Sequence, residues 1–135
     1  MAHRIEIFTK VNDTRSKVLL DKLVNLGFPI LETTAIEVYT INKNFKSADL
    51  KKVADILSNP VSQTYLIDDY SLSKPFNFAL EIGFLPGVTD NIANTAKESI
   101  EDLFKIKFSE EESVHTSQLI LLRGTISILL SYNIL

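Results

Sequence analysis

The chain has 135 residues, of which 45% are hydrophobic and 23% are charged, with a formal net charge of −3. This composition is typical of one ordinary domain or two very small ones, and it argues against a disordered chain. There is no cysteine, which excludes disulfides, thiolate metal sites and cysteine nucleophiles. A slightly acidic chain without a basic stripe is also a poor candidate for binding nucleic acid.

The sequence shows neither a signal peptide nor a membrane span. The N-terminus lacks the apolar core of a signal peptide, and no apolar run reaches the roughly 18 residues of a membrane span. We therefore expect a cytoplasmic protein with no membrane partner.

The first predicted elements are a strand and a helix. Residues 4–10 alternate polar and apolar side chains, with Ile5 and Ile7 on one face, as a half-buried strand does. Residues 14–26 place their apolar side chains on one helical stripe, after the candidate caps Asn12 and Asp13. Gly27 is expected to end this helix.

A second strand, a second helix and a third strand are predicted next. Residues 33–41 are rich in β-branched side chains, although the alternation becomes imperfect near their end. Residues 48–57 have the clearest amphipathic spacing in the chain, with Ser47 as the expected cap. Asn59-Pro60 stops this helix, and residues 61–67 form a strand, so the first part is βαβαβ.

The same pattern begins again after a polar connection. Residues 71–75 end in a proline and mark the expected boundary between a first subdomain, 1–70, and a second, 76–135. The second contains a strand at 78–84, a helix at 91–104 and a strand at 114–122. A strand–helix–strand order thus recurs about 75 residues later and suggests an internal duplication. The remaining residues 125–135 are strongly apolar and would leave this second repeat incomplete.

The loop GFLPGVTDN at residues 83–91 is the most distinctive local feature of the sequence. A helix N-terminus after a glycine-containing loop can bind phosphate through its free N–H groups. However, the loop lacks the spacing of both common phosphate-binding motifs. A tight turn at Pro86 and Gly87, followed by a helix cap at Thr89 or Asp90, explains these residues more simply. As turn and interface candidates we single out Leu85, Pro86, Gly87, Val88, Thr89, Asp90, Asn59 and Pro60.

Catalytic and metal-binding residues are not indicated. His3 and His115 lie on unrelated segments without neighbouring ligands at metal spacing, so each is expected to be an ordinary surface or half-buried histidine. The acidic run at 110–112 is expected to be a solvated turn.

A family resemblance adds to this interpretation. The segment from Glu81 to Asn91, followed by TAKESI at 95–100, resembles the N-terminal region of phosphoribosylformylglycinamidine synthases. In the first half, residues 3–7, 37–41 and 57–63 are similar to the small, PurS-type subunit of that enzyme. The resemblance covers the chain up to about Gly124. In this family the small unit is found alone or as a tandem pair ahead of the synthetase domains.

The resemblance implies an α+β fold with two ferredoxin-like, PurS-like subdomains packed as a pseudo-dimer. It also implies a scaffold that joins synthetase and glutaminase parts and shelters ammonia passing between them. ATP, Mg and glutamine would be used by those other parts, with no cofactor in this chain. Because an incomplete second repeat would leave a sheet edge unpaired, we expect a homo-oligomer. The alternative is a small-molecule-binding regulatory domain of ferredoxin-like fold.

Overall fold

All eight predicted elements are present in the computed structural model, which describes residues 2–9, 14–69, 76–85 and 88–124, with side chains in the first helix from Ser16 onward. In chain order they are β1 (Ala2–Thr9), α1 (Thr14–Asn25), β2 (Ile30–Asn42), α2 (Ser47–Leu57), β3 (Gln63–Ile67), β4 (Phe78–Gly83), α3 (Asn91–Phe104) and β5 (Ser113–Gly124). The candidate caps Asn12 and Asp13, the connection 71–75 and the apolar segment 125–135 lie outside the described residues.

The five strands of the described residues form one antiparallel sheet in the order β3-β1-β2-β5-β4. The α+β class is therefore confirmed, and the strands of both halves of the sequence belong to the same sheet. β2 and β5 form the central contact between the halves, with Val38 opposite Ser117.

The three helices that the structure describes pack on the same face of this sheet. α2 and α3 cover a cluster that contains Ile5 and Tyr39, which face each other on β1 and β2. α1 covers a second cluster that contains Ile120, which lies opposite Ala35. Because Tyr39 and Ala35 are separated by an even number of positions on β2, both clusters lie on one face. A third, smaller cluster around Ile36, Val38 and Leu121 lies on the opposite face.

The imperfect alternation of β2 follows from its central position. Val38 and Ile41 point to opposite faces, and both are fully buried. A strand that is buried on both sides needs apolar residues on both, so a strict period of two is lost.

β2 also begins three residues earlier than predicted. A register shift between Ile30 and Glu32 returns Ile30 to the face covered by α1, while Leu31 is exposed. Gly124 lies opposite Ile30 with φ of 154°, and a Cβ there would collide with the carbonyl oxygen of Pro29. A glycine is therefore required at this close approach.

Two boundaries of α2 and β3 differ from the prediction. Ser47 is the first residue of α2 rather than its cap, and the capping position is held by Lys46 without a side-chain hydrogen bond. β3 begins at residue 63 rather than 61, because the side chain of Asn59 accepts hydrogen bonds from the N–H groups of Val61 and Ser62. Asn59 thus holds the turn that separates the two elements.

The two strand–helix–strand units share a constant spacing. α3 begins at Asn91, which is 77 residues after α1 begins at Thr14. Exchanging β1 with β4 and β2 with β5 turns the order β1-β2-β5-β4 into β4-β5-β2-β1, which is the same order read from the opposite edge of the sheet. Three residues of α1 that pack toward the sheet each have a counterpart 77 positions later on α3. The pairs are Ser16 with Ala93, Leu19 with Ala96, and Leu23 with Ile100.

Candidate functional site

Asp90 is the residue that fixes the end of the 83–91 loop. Its side chain caps α3 by accepting a hydrogen bond of 2.9 Å from the N–H of Ala93. It also accepts a bond of 2.8 Å from the N–H of Thr116 on β5, and the hydroxyl of Thr116 donates to the same carboxylate. The prediction that Thr89 or Asp90 caps this helix is therefore confirmed for Asp90. The carboxylate is both a helix cap and a link between the loop and the sheet.

The electrostatics of Asp90 agree with this role. Partial burial alone would raise the pKa of the carboxyl, but the N–H groups of Ala93 and Thr116 and the Thr116 hydroxyl outweigh it and lower the pKa. Donors of this kind stabilise the ionised form. Asp90 is therefore charged at neutral pH and engaged by its own chain.

Three described residues of the loop, and the residue on either side of the loop, present apolar side chains to solvent. The exposed fractions are 49% for Ile82, 52% for Phe84, 74% for Leu85, 53% for Val88 and 59% for Ile92. We call these five residues the loop patch. Thr89 is also exposed, and Pro86 and Gly87 lie outside the described residues. Contiguous exposed apolar surface of this kind is typical of a binding or interaction site.

Two concavities border the loop, and both include Gly83, Phe84 and Ser117 in their lining. The first has a volume of about 430 Å³ and is lined in part by Tyr39, Phe84, Ile92 and Gln118. The second has a volume of about 470 Å³ and is lined in part by Thr40, Leu85, His115 and Ser117. Both volumes are within the range of small-molecule pockets. The loop therefore borders surface that a ligand or a partner side chain can enter.

The other two candidates, Asn59 and Pro60, are not part of this surface. They lie in the turn before β3, at the opposite edge of the sheet from β4, with β1, β2 and β5 between the two edges. Both are exposed. The structure therefore separates the two groups of candidates that the sequence singled out.

A charged network that the sequence analysis missed lies on the sheet face opposite the helices. The guanidinium of Arg4 on β1 donates to both carboxylate oxygens of Glu81 on β4, at 2.7 and 3.2 Å. Its Nε donates at 2.9 Å to Glu6, whose side chain is fully buried. The hydroxyl of Ser117 donates to Glu81 at 2.9 Å. These contacts join the two halves of the chain across β2 and β5.

The pKa shifts in this network follow from the hydrogen bonds. The bond to Glu81 is the main cause that raises the pKa of Arg4, and burial opposes it. The same bond, aided by Ser117, lowers the pKa of Glu81 against the opposing effect of burial. Arg4 and Glu81 are 77 residues apart, which is the spacing between α1 and α3. They therefore occupy equivalent positions in the two units; the spacing signals this equivalence, but the contact itself depends on how the strands pair.

His3 differs from its expected surface or half-buried placement. It is 6% exposed, its Nδ1 lies 2.8 Å from a carboxylate oxygen of Asp68, and its Nε2 accepts a hydrogen bond from the N–H of Phe45. A ring whose Nε2 is an acceptor carries its proton on Nδ1, which donates to Asp68. His3 thus ties β1 to the end of β3 and to the segment before α2.

The acidic run at 110–112 contains one ion pair. Glu112 is paired with Lys43 at 2.8 Å, in the turn before β5. Among the described residues, no group of three or more histidine, aspartate or glutamate side chains could hold a metal ion. In the same residues, no helix is long and apolar enough to cross a membrane.

Comparison with known proteins adds no relative. No protein-family model, no curated protein and no solved structure matches the chain.

Proposed function

We propose that this chain is a non-catalytic assembly module of phosphoribosylformylglycinamidine synthase, acting in the cytoplasm in purine biosynthesis. In this role it bridges the synthetase and glutaminase parts of the enzyme and shelters the ammonia that passes between them. The proposal rests first on the similarity of residues 81–100 to the N-terminal region of that enzyme family.

One structural observation carries the proposal furthest. The strand–helix–strand unit occurs twice with a spacing of 77 residues, and both copies contribute to one sheet. This arrangement is what a tandem pair of PurS-like units, packed as a pseudo-dimer, would have. The ion pair between Arg4 and Glu81 is compatible with it, since equivalent positions carry the same residue in a dimer of identical units but can carry opposite charges in a tandem pair whose sequences differ.

In this proposal the surface residues provide contacts and the chemistry belongs to the partners. The loop patch and the turn at Asn59-Pro60 face solvent at opposite edges of the sheet, so they can contact two different components. ATP, Mg and glutamine are bound by those components and not by this chain. Further copies of the chain are also proposed as partners.

The test separates assembly from chemistry. The purified chain is added to the synthetase and glutaminase components, and product formation is measured with glutamine and, separately, with ammonium as the nitrogen source. A scaffold that shelters ammonia should increase glutamine-dependent activity by at least about tenfold and leave ammonium-dependent activity unchanged. Equal activity with and without the chain under both conditions would contradict the proposal.

A small-molecule-binding regulatory domain is the second candidate. It is favoured by the concavity of about 430 Å³ beside Phe84 and Ile92. A ligand that binds only the folded chain stabilises it by RT ln(1 + [L]/Kd), about 2.7 kcal/mol at one hundred times the Kd. Thermal unfolding with saturating ATP or glutamine measures this effect directly. A higher melting temperature with either compound supports the regulatory role, whereas a pure scaffold melts at the same temperature.

A further inference from the structure

The outer edge of β1 is covered by two elements of the same chain. β3 pairs with β1 so that Ile67 lies opposite Ile5 and Tyr65 lies opposite Ile7. α2 packs over the same two isoleucines through Val53. As a result, Ile5 is 0% exposed and Ile7 is 2% exposed. The first unit therefore needs a helix followed by a strand to bury its outer strand.

The equivalent edge of β4 has no such cover among the described residues. At the spacing of 77 residues, Ile82 corresponds to Ile5 and Phe84 corresponds to Ile7. Ile82 is 49% exposed and Phe84 is 52% exposed. In the described part of the chain β4 pairs only with β5 and is the last strand of the sheet. An edge strand of this kind presents unpaired N–H and C=O groups that can accept another strand.

The area and charge of this surface fit an apolar occupant. Taking roughly 200 Å² for a fully exposed large residue, the exposed fractions of the loop patch amount to roughly 570 Å². This is near the upper end for a patch on a monomer and about two thirds of the roughly 800 Å² that each partner buries in a stable complex. Hydrogen bonds along the edge of β4 would add to this contact. None of the five patch residues is charged, and the carboxylate of neighbouring Asp90 is engaged by Ala93 and Thr116.

We propose that the outer edge of β4 and the loop patch form a docking surface for a helix–strand segment of a partner polypeptide. The strand pairs antiparallel with β4, and an amphipathic helix before it packs its apolar side on Ile82 and Phe84. The inference does not depend on the role in purine synthesis.

The chain itself defines the chemistry of this segment. α2 presents Leu50, Val53 and Ala54 on one buried side, at spacings of three and four residues. β3 presents Tyr65 and Ile67 on the same face of the sheet. The partner segment should therefore have small and branched apolar residues on one helical side and an aromatic or aliphatic residue at alternate strand positions. A charged residue at either place would be buried without a partner.

The α2–β3 segment can serve as the probe. A fluorescent peptide of residues 47–67 is titrated with the full-length chain, and binding is followed by fluorescence anisotropy. Saturable binding is expected, and Ile82→Lys in the full-length chain should weaken it by at least about tenfold, since lysine is a residue that blocks edge pairing. The matched control is Val61→Lys, at an 86% exposed position near the opposite edge, which should leave binding unchanged. A peptide with Val53→Asp should not bind.

The same experiment distinguishes the rival occupants. Binding that is equally strong to the Ile82→Lys chain would mean that the peptide displaces the chain's own α2 and β3, and this would overturn the proposal. Absence of binding at millimolar concentration would also overturn it. Light scattering of the free chain provides the third result. If the free chain is a dimer, if Ile82→Lys converts it to a monomer, and if the peptide does not bind, the surface is occupied by a second copy of the chain instead. Circular dichroism checks that each variant is folded.

Discussion

β1 and β4 hold equivalent places in the two strand–helix–strand units, yet their apolar residues have opposite environments. Ile5 and Ile7 are buried, whereas Ile82 and Phe84 are about half exposed. The sequences of the two strands are comparably apolar, so composition does not explain the difference. The first unit is followed by α2 and β3, which cover its outer edge. Burial of a strand is thus decided by the elements beside it as much as by its own residues.

The largest expected effect tests this contrast at matched positions. Ile5→Ala should lower the free energy of unfolding by roughly 2–5 kcal/mol, because it leaves a cavity in a close-packed cluster. Ile82→Ala should lower it by roughly 1 kcal/mol or less, because the side chain is half exposed. Urea unfolding of the two variants and the parent chain measures both values. Equal losses would show that the second edge is as well buried as the first.

A smaller effect is expected at the cap of the second helix. Asp90→Ala should cost roughly 1–2 kcal/mol, since it removes the cap of α3 and the acceptor for the N–H of Thr116. Asp90→Asn should cost less, because an amide oxygen can still cap the helix.

The lowered pKa of Asp90 sets the direction of its pH dependence. A carboxyl whose pKa is lower in the folded than in the unfolded state contributes stability above the unfolded value, roughly 3.9, and loses it as pH falls through the folded value. Urea unfolding between neutral pH and pH 2 should therefore show a smaller acid-induced loss for Asp90→Asn than for the parent chain. The same acid-induced loss in both proteins would contradict this role.

The smallest effect concerns the ion pair between the equivalent positions Arg4 and Glu81. A double-mutant cycle with Arg4→Gln and Glu81→Gln should give a coupling of roughly 0.5–1 kcal/mol, because the side chains are only partly buried and are screened by solvent. The coupling should decrease at high salt. Arg4→Gln alone should cost more than Glu81→Gln alone, since it also removes the hydrogen bond to buried Glu6. A coupling energy of zero at low salt would show that this ion pair does not link the two units.

The positions of the elements could be predicted from local patterns. The apolar stripe of α2 predicted its buried side correctly, since Leu50, Val53 and Ala54 are buried in the structure. Asp90 was one of two candidate caps, since a short acceptor before an amphipathic run is typical of a helix start. The errors at Ser47 and at the beginnings of β2 and β3 were small. They arose where a bulge or a side-chain turn, rather than periodicity, sets the boundary.

Relations between distant residues could not be predicted in the same way. Periodicity indicates which side of a helix or strand is buried, but it does not indicate which other element covers that side. The burial of His3 depends on Asp68 and Phe45, which come from other parts of the chain. Asn59 and Asp90 were both singled out as turn or interface candidates, and only the strand order places them at opposite edges of the sheet.

The sequence by itself determined the eight elements, their order and the recurrence of a strand–helix–strand unit, because these depend on side-chain periodicity, caps and turns within short segments. The tertiary structure alone decided that β2 pairs with β5, that Arg4 reaches Glu81 and that the edge of β4 is open to solvent in the described chain. These features depend on strand register and on what packs beside each strand. Both are set by the summed burial of the whole sheet rather than by any local pattern.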